Sequence, residues 1–366
     1  MILSHHYVVN SGLVSAGGLL VTDYSSNNSI FLSLFGSWGK TGINCFLMIT
    51  GYFMCTSKIT VRKFFKLMGQ IYLYRLILYP IFLIAGYEIH SFQRILSQLL
   101  PVWGLDCDHF VNCFIVFWLT IPFLNILVQN MTKRQHELLL LLSLSMYTIL
   151  GSVPTFNIPI NYVTWFGLIY FISSYIRLYP HPIFERKALW RLMTIISLVL
   201  AAVSILALRF IFGARIGNGY YFVADSNKIF AVAIALSSFL WFKNLNIGYS
   251  KLINSLGAGT FGVLLIHANL GASKWLWKDV FDVAGHYTMP LWYLVLYSCG
   301  VVLLVFIICN IIDQVRIATI EKWFLKWFDK NIAPKADIIV NNKIIKMIKN
   351  FLNFILIFPK IDFNNI

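Results

Sequence analysis

Residues 291–312 read LWYLVLYSCGVVLLVFIICNII and contain no charged side chain. An α-helix needs about 20 consecutive apolar residues to cross the hydrocarbon core of a bilayer. This stretch has that length, and an uncharged apolar run so long is typical of membrane proteins. It therefore predicts a transmembrane helix and decides the class of the protein.

The rest of the chain has the same character. Of its 366 residues, 59% are hydrophobic and 12% are charged, whereas soluble domains average about 45–50% and about 25%. About ten apolar spans can be drawn, over residues 1–20, 30–55, 64–85, 110–128, 138–153, 160–176, 192–212, 229–242, 252–270 and 291–312. We therefore predict an all-α, polytopic membrane protein with about ten transmembrane helices.

Most of the basic residues that give the net charge of +15 lie in the loops between these spans and in the tail after them. Basic residues fall in alternate loops, at 58–66, 133–134, 177–191 and 243–251, and again after the last span, whereas most acids lie in the other loops. Such alternation obeys the positive-inside rule and places the C-terminus in the cytoplasm. The charge therefore indicates a multi-pass protein of the cell membrane, with no nucleic-acid partner.

Composition also separates a tail from the membrane domain. Residues 1–313 form the predicted transmembrane domain, and residues 314–366 form a basic tail in which aromatic residues alternate with lysines. That pattern predicts an amphipathic cytoplasmic segment that contacts anionic membrane lipids. The six cysteines form no CxxC pair, and no nucleotide-binding loop is present, so we expect no metal and no bound cofactor.

Four ionisable features stand out. His5 and His6 lie in apolar sequence, where the alternatives are an inert helix end and a base that deprotonates a hydroxyl. Arg75 lies among tyrosines in the third span, and it either snorkels, pairs with a structural acid, or forms an anion site for a phosphate-bearing ligand. His267 ends the glycine-containing stretch 256–267, where an interfacial polar group is the alternative to a functional one. An acidic cluster at 106–109 is best explained as a solvated loop.

Glycines recur in two of the spans, at positions 39, 42 and 51 and at positions 257, 259 and 262. Small residues allow the backbones of membrane helices to approach closely. We therefore expect both stretches to pack tightly against neighbouring helices.

Taken in order, these segments resemble the acyltransferase family 3 membrane proteins, which O-acylate extracellular polysaccharides and related glycans. Residues 1–7 look like the end of that family's first helix, where an Arg-x10-His stretch ends in a histidine that is often doubled. Residues 39–53 are similar to its GxxGVNxFxxISGYF helix. Further matches are Arg75 in the third helix, YFISSYIR at 170–177, residues 257–267 with Leu264 in place of a tyrosine, and Asp313 with Arg316.

The resemblance implies an O-acetyltransferase of the bacterial plasma membrane, with acetyl-CoA as donor and a polysaccharide or lipid-linked sugar as acceptor. It implies that His6, the second histidine of the doublet, is the catalytic base, with His5 as the other catalytic candidate. Arg75 would bind the donor or stabilise charge, and His267 is a further candidate for that role. The arginine partner of His6 would precede Met1, so we expect either a start further upstream or a truncated copy.

Two other classes of membrane protein are alternatives on the sequence alone. A polysaccharide polymerase or a flippase of the glycan-export pathway also has ten or more spans and basic loops. A polymerase would be expected to carry a long outward loop with several arginines, whereas residues 213–228 contain only Arg215 and Lys228 as basic residues. A transporter often shows internal repeats and paired broken helices, and the sequence shows no such repeat.

Overall fold

The computed structural model describes residues 1–15, 17–100, 110–156, 158–213 and 219–334, and every regular element in them is helical. The fifteen α-helices described are α1 (Ile2–Val9), α2 (Leu19–Thr22), α3 (Asn27–Gly36), α4 (Gly39–Met54), α5 (Val61–Ile84), α6 (Phe92–Leu99), α7 (Phe110–Asn130), α8 (Lys133–Leu144), α9 (Tyr162–Leu178), α10 (Lys187–Phe212), α11 (Ile229–Lys243), α12 (Lys251–His267), α13 (Leu270–Lys274), α14 (Leu291–Arg316) and α15 (Lys322–Asn331). The predicted all-α class is confirmed.

Helix length bears on the predicted number of spans. Four helices in the described chain are long and apolar enough to cross a bilayer, namely α5, α7, α10 and the run Leu291–Asn331. A fifth crossing results if α12 and the segment Leu270–Thr288, which meet at 82°, count as one broken span. Several predicted spans consist of shorter helices, because irregular turns interrupt the apolar sequence. The helices fit a membrane protein, and the number of about ten stays a prediction.

The described residues divide into two compact units. Unit 1 comprises Met1–Lys58 and Tyr72–Asp313, and unit 2 comprises Ile59–Ile71 and the chain from Gln314 onward. Ion pairs join the two segments of unit 2, with Arg62 to Asp329 and Lys66 to Glu321 each at 2.7 Å. Helix α15 of the predicted tail exposes Trp323 and buries Phe328. Contact of the exposed side of α15, which carries Trp323, with membrane lipid remains a prediction.

Aromatic side chains fill much of the core of unit 1. Phe46 of α4 lies 5.4 Å from Phe114 of α7 and 6.1 Å from Phe261 of α12, measured between ring centroids. Phe117 of α7 meets Phe166 of α9 edge to face, at 5.7 Å. Burial of such large apolar rings stabilises the bundle and holds α4 between its neighbours. That position of α4 matters because the candidate site lies beside its N-terminus.

The predicted close approach of helices at glycine is confirmed at most of these positions. At Gly39 an added Cβ would overlap the ring of His5, and at Gly42 it would lie 2.9 Å from Cγ1 of Ile2. At Gly262 it would overlap the carboxyl group of Asp313 on α14. The prediction is wrong for Gly257, where an added Cβ would meet no atom within 4 Å.

Replacing Gly262 with alanine is expected to destabilise unit 1. The new methyl group must displace Asp313, which is buried and accepts a 2.7 Å hydrogen bond from the hydroxyl of Tyr74. Overpacking of this kind costs about 1–3 kcal/mol. A thermal melt of the purified protein in detergent should show the loss. Gly257→Ala on the same helix is the matched control, and an equal loss in both variants would contradict the packing argument.

Candidate functional site

Helix α1 directs the two adjacent histidines toward different neighbours. Successive residues of an α-helix point about 100° apart, since one turn holds 3.6 residues. His5 Nδ1 lies 2.7 Å from the carbonyl oxygen of Gly36, at the end of α3. His6 Nδ1 lies 2.9 Å from Nε2 of His267, at the end of α12. The doublet therefore serves two separate contacts, and Gly39 provides the space in which the His5 ring lies.

His267 is a buried member of this arrangement. Its side chain is 1% exposed, and its Nδ1 lies 2.5 Å from the carbonyl oxygen of Val263, one turn earlier in α12. His267 is therefore enclosed by protein side chains and backbone, whatever its depth in a membrane. The structure brings the three histidines together. The ring centroids of His5 and His6 are 5.8 Å apart, and those of His6 and His267 are 5.0 Å apart.

Two polar contacts that sequence reasoning missed hold α1 in place. Asn10 Nδ2 donates to Ser273 Oγ of α13 at 3.0 Å, and the hydroxyl of Ser298 on α14 donates to that of Tyr7 at 3.0 Å. Tyr7 is completely buried. Both contacts follow His6 in sequence, and they tie this end of α1 to α13 and α14.

A cavity of about 170 Å³ adjoins His5. At about 30 Å³ for each water in the liquid, this space holds about six water molecules. Aliphatic side chains form much of its wall, and its polar groups come from His5, Ser37, Lys40 and Tyr220. Lys40 Nζ lies 3.7 Å from Asp225 Oδ1 and donates to the hydroxyl of Tyr162. The cavity thus presents an ammonium group and hydroxyls on an apolar surface.

Asn44 of α4 connects this helix to α9 and to the segment before α11. The residue is fully buried, accepts a 2.9 Å hydrogen bond from the indole Nε1 of Trp165 on α9, and donates at 2.7 Å to the carbonyl of Ser226. Sequence reasoning included Asn44 in the 39–53 motif without assigning it a role. The structure shows why an amide suits the position, since it donates and accepts at once.

Replacing Asn44 with leucine is expected to destabilise the protein by about 2 kcal/mol or more, because Trp165 and Ser226 each lose a buried partner. Chemical or thermal unfolding in detergent measures the change. Asn254→Leu is the control, since Asn254 is exposed and its side chain bonds, among the described residues, only the carbonyl of Ser250 one turn earlier. Equal stability of the two variants would refute the assigned role.

Arg75 makes hydrogen bonds with α6 and α7, and neither bond involves the three histidines. Its Nη1 donates to the carbonyl of Ser97 on α6 at 3.1 Å, and its Nη2 donates to Oδ1 of Asn112 on α7 at 2.6 Å. Both acceptors are neutral, so within the described chain the predicted alternative of a structural acid as partner does not occur. A guanidinium held by neutral groups retains its charge for an anionic ligand.

The acidic cluster Asp106, Asp108 and His109 lies outside the described residues.

The buried Arg209 was not singled out from the sequence. Arg209 of α10 is 2% exposed, and its Nε donates to the carbonyl of Tyr24 at 2.6 Å. Its Nη1 donates to Ser33 Oγ at 2.7 Å, and its Nη2 bonds both Ser29 Oγ and the carbonyl of Leu20. The signal that would have found it is an arginine inside an apolar helix, which needs partners. Arg209 holds α3, whose Gly36 bonds His5.

The chain matches a known protein family over most of its length. The acyltransferase family 3 model, described as an acyltransferase domain, matches residues 1–310. No curated protein and no solved structure matches the chain significantly. The matched residues include all three clustered histidines and Arg75.

Proposed function

Because the chain belongs to acyltransferase family 3, as its motifs predicted, it is an acyltransferase, and we propose that it is an integral-membrane O-acetyltransferase. It transfers an acetyl or other acyl group from acyl-CoA to a hydroxyl of a cell-surface or lipid-linked polysaccharide. It works in the bacterial plasma membrane, as a multi-pass protein in contact with membrane lipids. Acetyl-CoA is a substrate in this proposal, and the reaction uses no bound cofactor.

The observation that carries the proposal is the hydrogen bond between His6 and His267. An imidazolium donates from both nitrogens, so this bond requires at least one neutral ring. A neutral imidazole is the general base that acyl transfer to a hydroxyl needs. The hydroxyl proton moves to His6 as the oxygen attacks the thioester carbonyl. The C–S bond then breaks, and the CoA thiolate takes the proton from His6.

The cavity beside His5 supports a sugar as acceptor. Its aliphatic wall suits the apolar face of a sugar ring, while Ser37, Lys40 and Tyr220 supply hydrogen bonds for ring hydroxyls. His5 forms part of the wall, so it is the second catalytic candidate in this proposal. We assign the acceptor to this cavity.

Arg75 supports the use of an acyl-CoA donor. Its bonds to Ser97 and Asn112 fix the guanidinium without neutralising it. A fixed guanidinium matches the geometry of the CoA phosphates and also stabilises negative charge. We assign Arg75 to donor binding. His267, which was a candidate for the same task, contacts His6 instead.

The function is tested with the full chain in nanodiscs, with radiolabelled acetyl-CoA as donor and the lipid-linked oligosaccharide fraction of the host as acceptor. We expect label in alkali-labile esters on the oligosaccharide and CoA release that depends on it. Propionyl-CoA and succinyl-CoA then define the acyl group. Elongation or flipping of the oligosaccharide without label transfer would overturn the proposal in favour of the polymerase or flippase alternative, and no reaction at all by the folded protein would also overturn it.

A further inference from the structure

A chain of hydrogen bonds runs from the carbonyl of Val263 through the ring of His267 to the ring of His6. The carbonyl of Val263 contacts His267 Nδ1 at 2.5 Å, and His267 Nε2 contacts His6 Nδ1 at 2.9 Å. A carbonyl oxygen only accepts, so His267 must carry its proton on Nδ1. A backbone carbonyl within a helix cannot change that role, because it has no proton to donate. The tautomer of His267 is thus determined from one end of the chain.

The tautomer of His267 in turn determines that of His6. A neutral imidazole has one donor and one acceptor nitrogen, so His267, which donates from Nδ1, accepts at Nε2. His6 must then donate from Nδ1, and neutral His6 keeps its lone pair on Nε2. The opposite arrangement needs a charged His267. Within the described residues that ring bonds only a carbonyl and an imidazole, with no carboxylate to compensate a buried charge.

We propose that His267 is a positioning residue that holds neutral His6 in the Nδ1-protonated tautomer and so presents Nε2 as the atom that accepts the hydroxyl proton. The inference rests on the proposed function of His6 as the base. When Nε2 takes the proton, His6 becomes an imidazolium, and its Nδ1–H bond to His267 strengthens as the charge develops. The carboxylate of a Ser-His-Asp triad serves its histidine in the same way.

His5 offers an internal comparison. Its Nδ1 lies 2.7 Å from the carbonyl of Gly36, so a backbone group fixes its tautomer. His5 therefore also carries its lone pair on Nε2, independently of His267. Only the tautomer of His6 depends on a side chain that substitution can remove.

Nitrogen NMR reads the tautomers directly. The full chain with ¹⁵N-labelled histidine is placed in nanodiscs, and two-bond ¹H–¹⁵N spectra, assigned with His6→Gln and His5→Gln, distinguish Nδ1 from Nε2 protonation. We expect neutral His6 to be protonated at Nδ1 and to lose that preference in His267→Leu, while the His5 signals stay unchanged. Nε2 protonation of His6 in the parent protein, or an unchanged His6 signature in His267→Leu, would overturn the proposal.

Kinetics supply a second readout. Glutamine at position 267 places an amide oxygen near the former Nε2, so it can accept from His6, whereas leucine cannot. We expect His267→Leu to lower kcat by about 10–100-fold with little change in KM for acetyl-CoA, and His267→Gln to recover most of the loss. Equal activity of the two folded variants would count against positioning. If the parent protein transfers no acyl group, the proposed function fails, and the NMR result still decides the tautomer.

Discussion

His6→Ala is expected to lower acyl transfer by about 10²–10⁴-fold, the usual contribution of a general base. The imidazole is the only part of His6 that reaches His267, so its removal deletes the proton acceptor and leaves the helix backbone intact. The rate of labelled ester formation from acetyl-CoA, measured in nanodiscs with the oligosaccharide acceptor, reports the change.

The control for this prediction is His90→Ala. His90 is exposed, so its loss should change neither the rate nor the melting temperature. His5→Ala separates the members of the doublet, and we expect it to retain more activity than His6→Ala. Full activity in a folded His6→Ala protein would refute the assignment of the base, and a larger loss in His5→Ala would move that role to His5.

Arg209→Met is expected to destabilise the protein by about 4 kcal/mol. Loss of the guanidinium leaves the carbonyls of Leu20 and Tyr24 and the hydroxyls of Ser29 and Ser33 without this donor in a buried place. Each buried acceptor left without a donor costs about 1–3 kcal/mol, and four such groups lose this partner. Unfolding in detergent measures the free energy. Activity should fall as well, since α3 carries the Gly36 carbonyl that bonds His5.

Two variants test the specificity of this effect. Arg191→Met removes an exposed arginine from the same helix and should be nearly neutral. Arg209→Lys keeps the charge but lacks the planar fork that reaches several acceptors, so we expect it to be destabilised to an intermediate degree. Stability of Arg209→Met equal to that of Arg191→Met would contradict the proposed role in holding α3.

Part of the site was predictable because unusual residues mark it. His5 and His6 stand out in apolar sequence, as Arg75 does in its span, since ionisable groups there are costly and need a reason. By the same criterion Arg209 was detectable. Asn44 was harder to find, because an asparagine in a membrane helix has several ordinary uses, and only its two partners identify its role as a connector.

The amino-acid sequence by itself determined the all-helical class and the family, and it predicted a membrane protein, because hydropathy and ordered local motifs are properties of contiguous residues. It also marked the histidine doublet. Only the tertiary structure decided that His6 meets His267, which lies 261 positions away, and that Val263 sets the direction of the hydrogen bonds. Which side chains meet across helices depends on how their surfaces pack, with Gly39 admitting the His5 ring and Arg209 holding α3. Contacts of this kind arise between distant segments, and no single stretch of the chain encodes them.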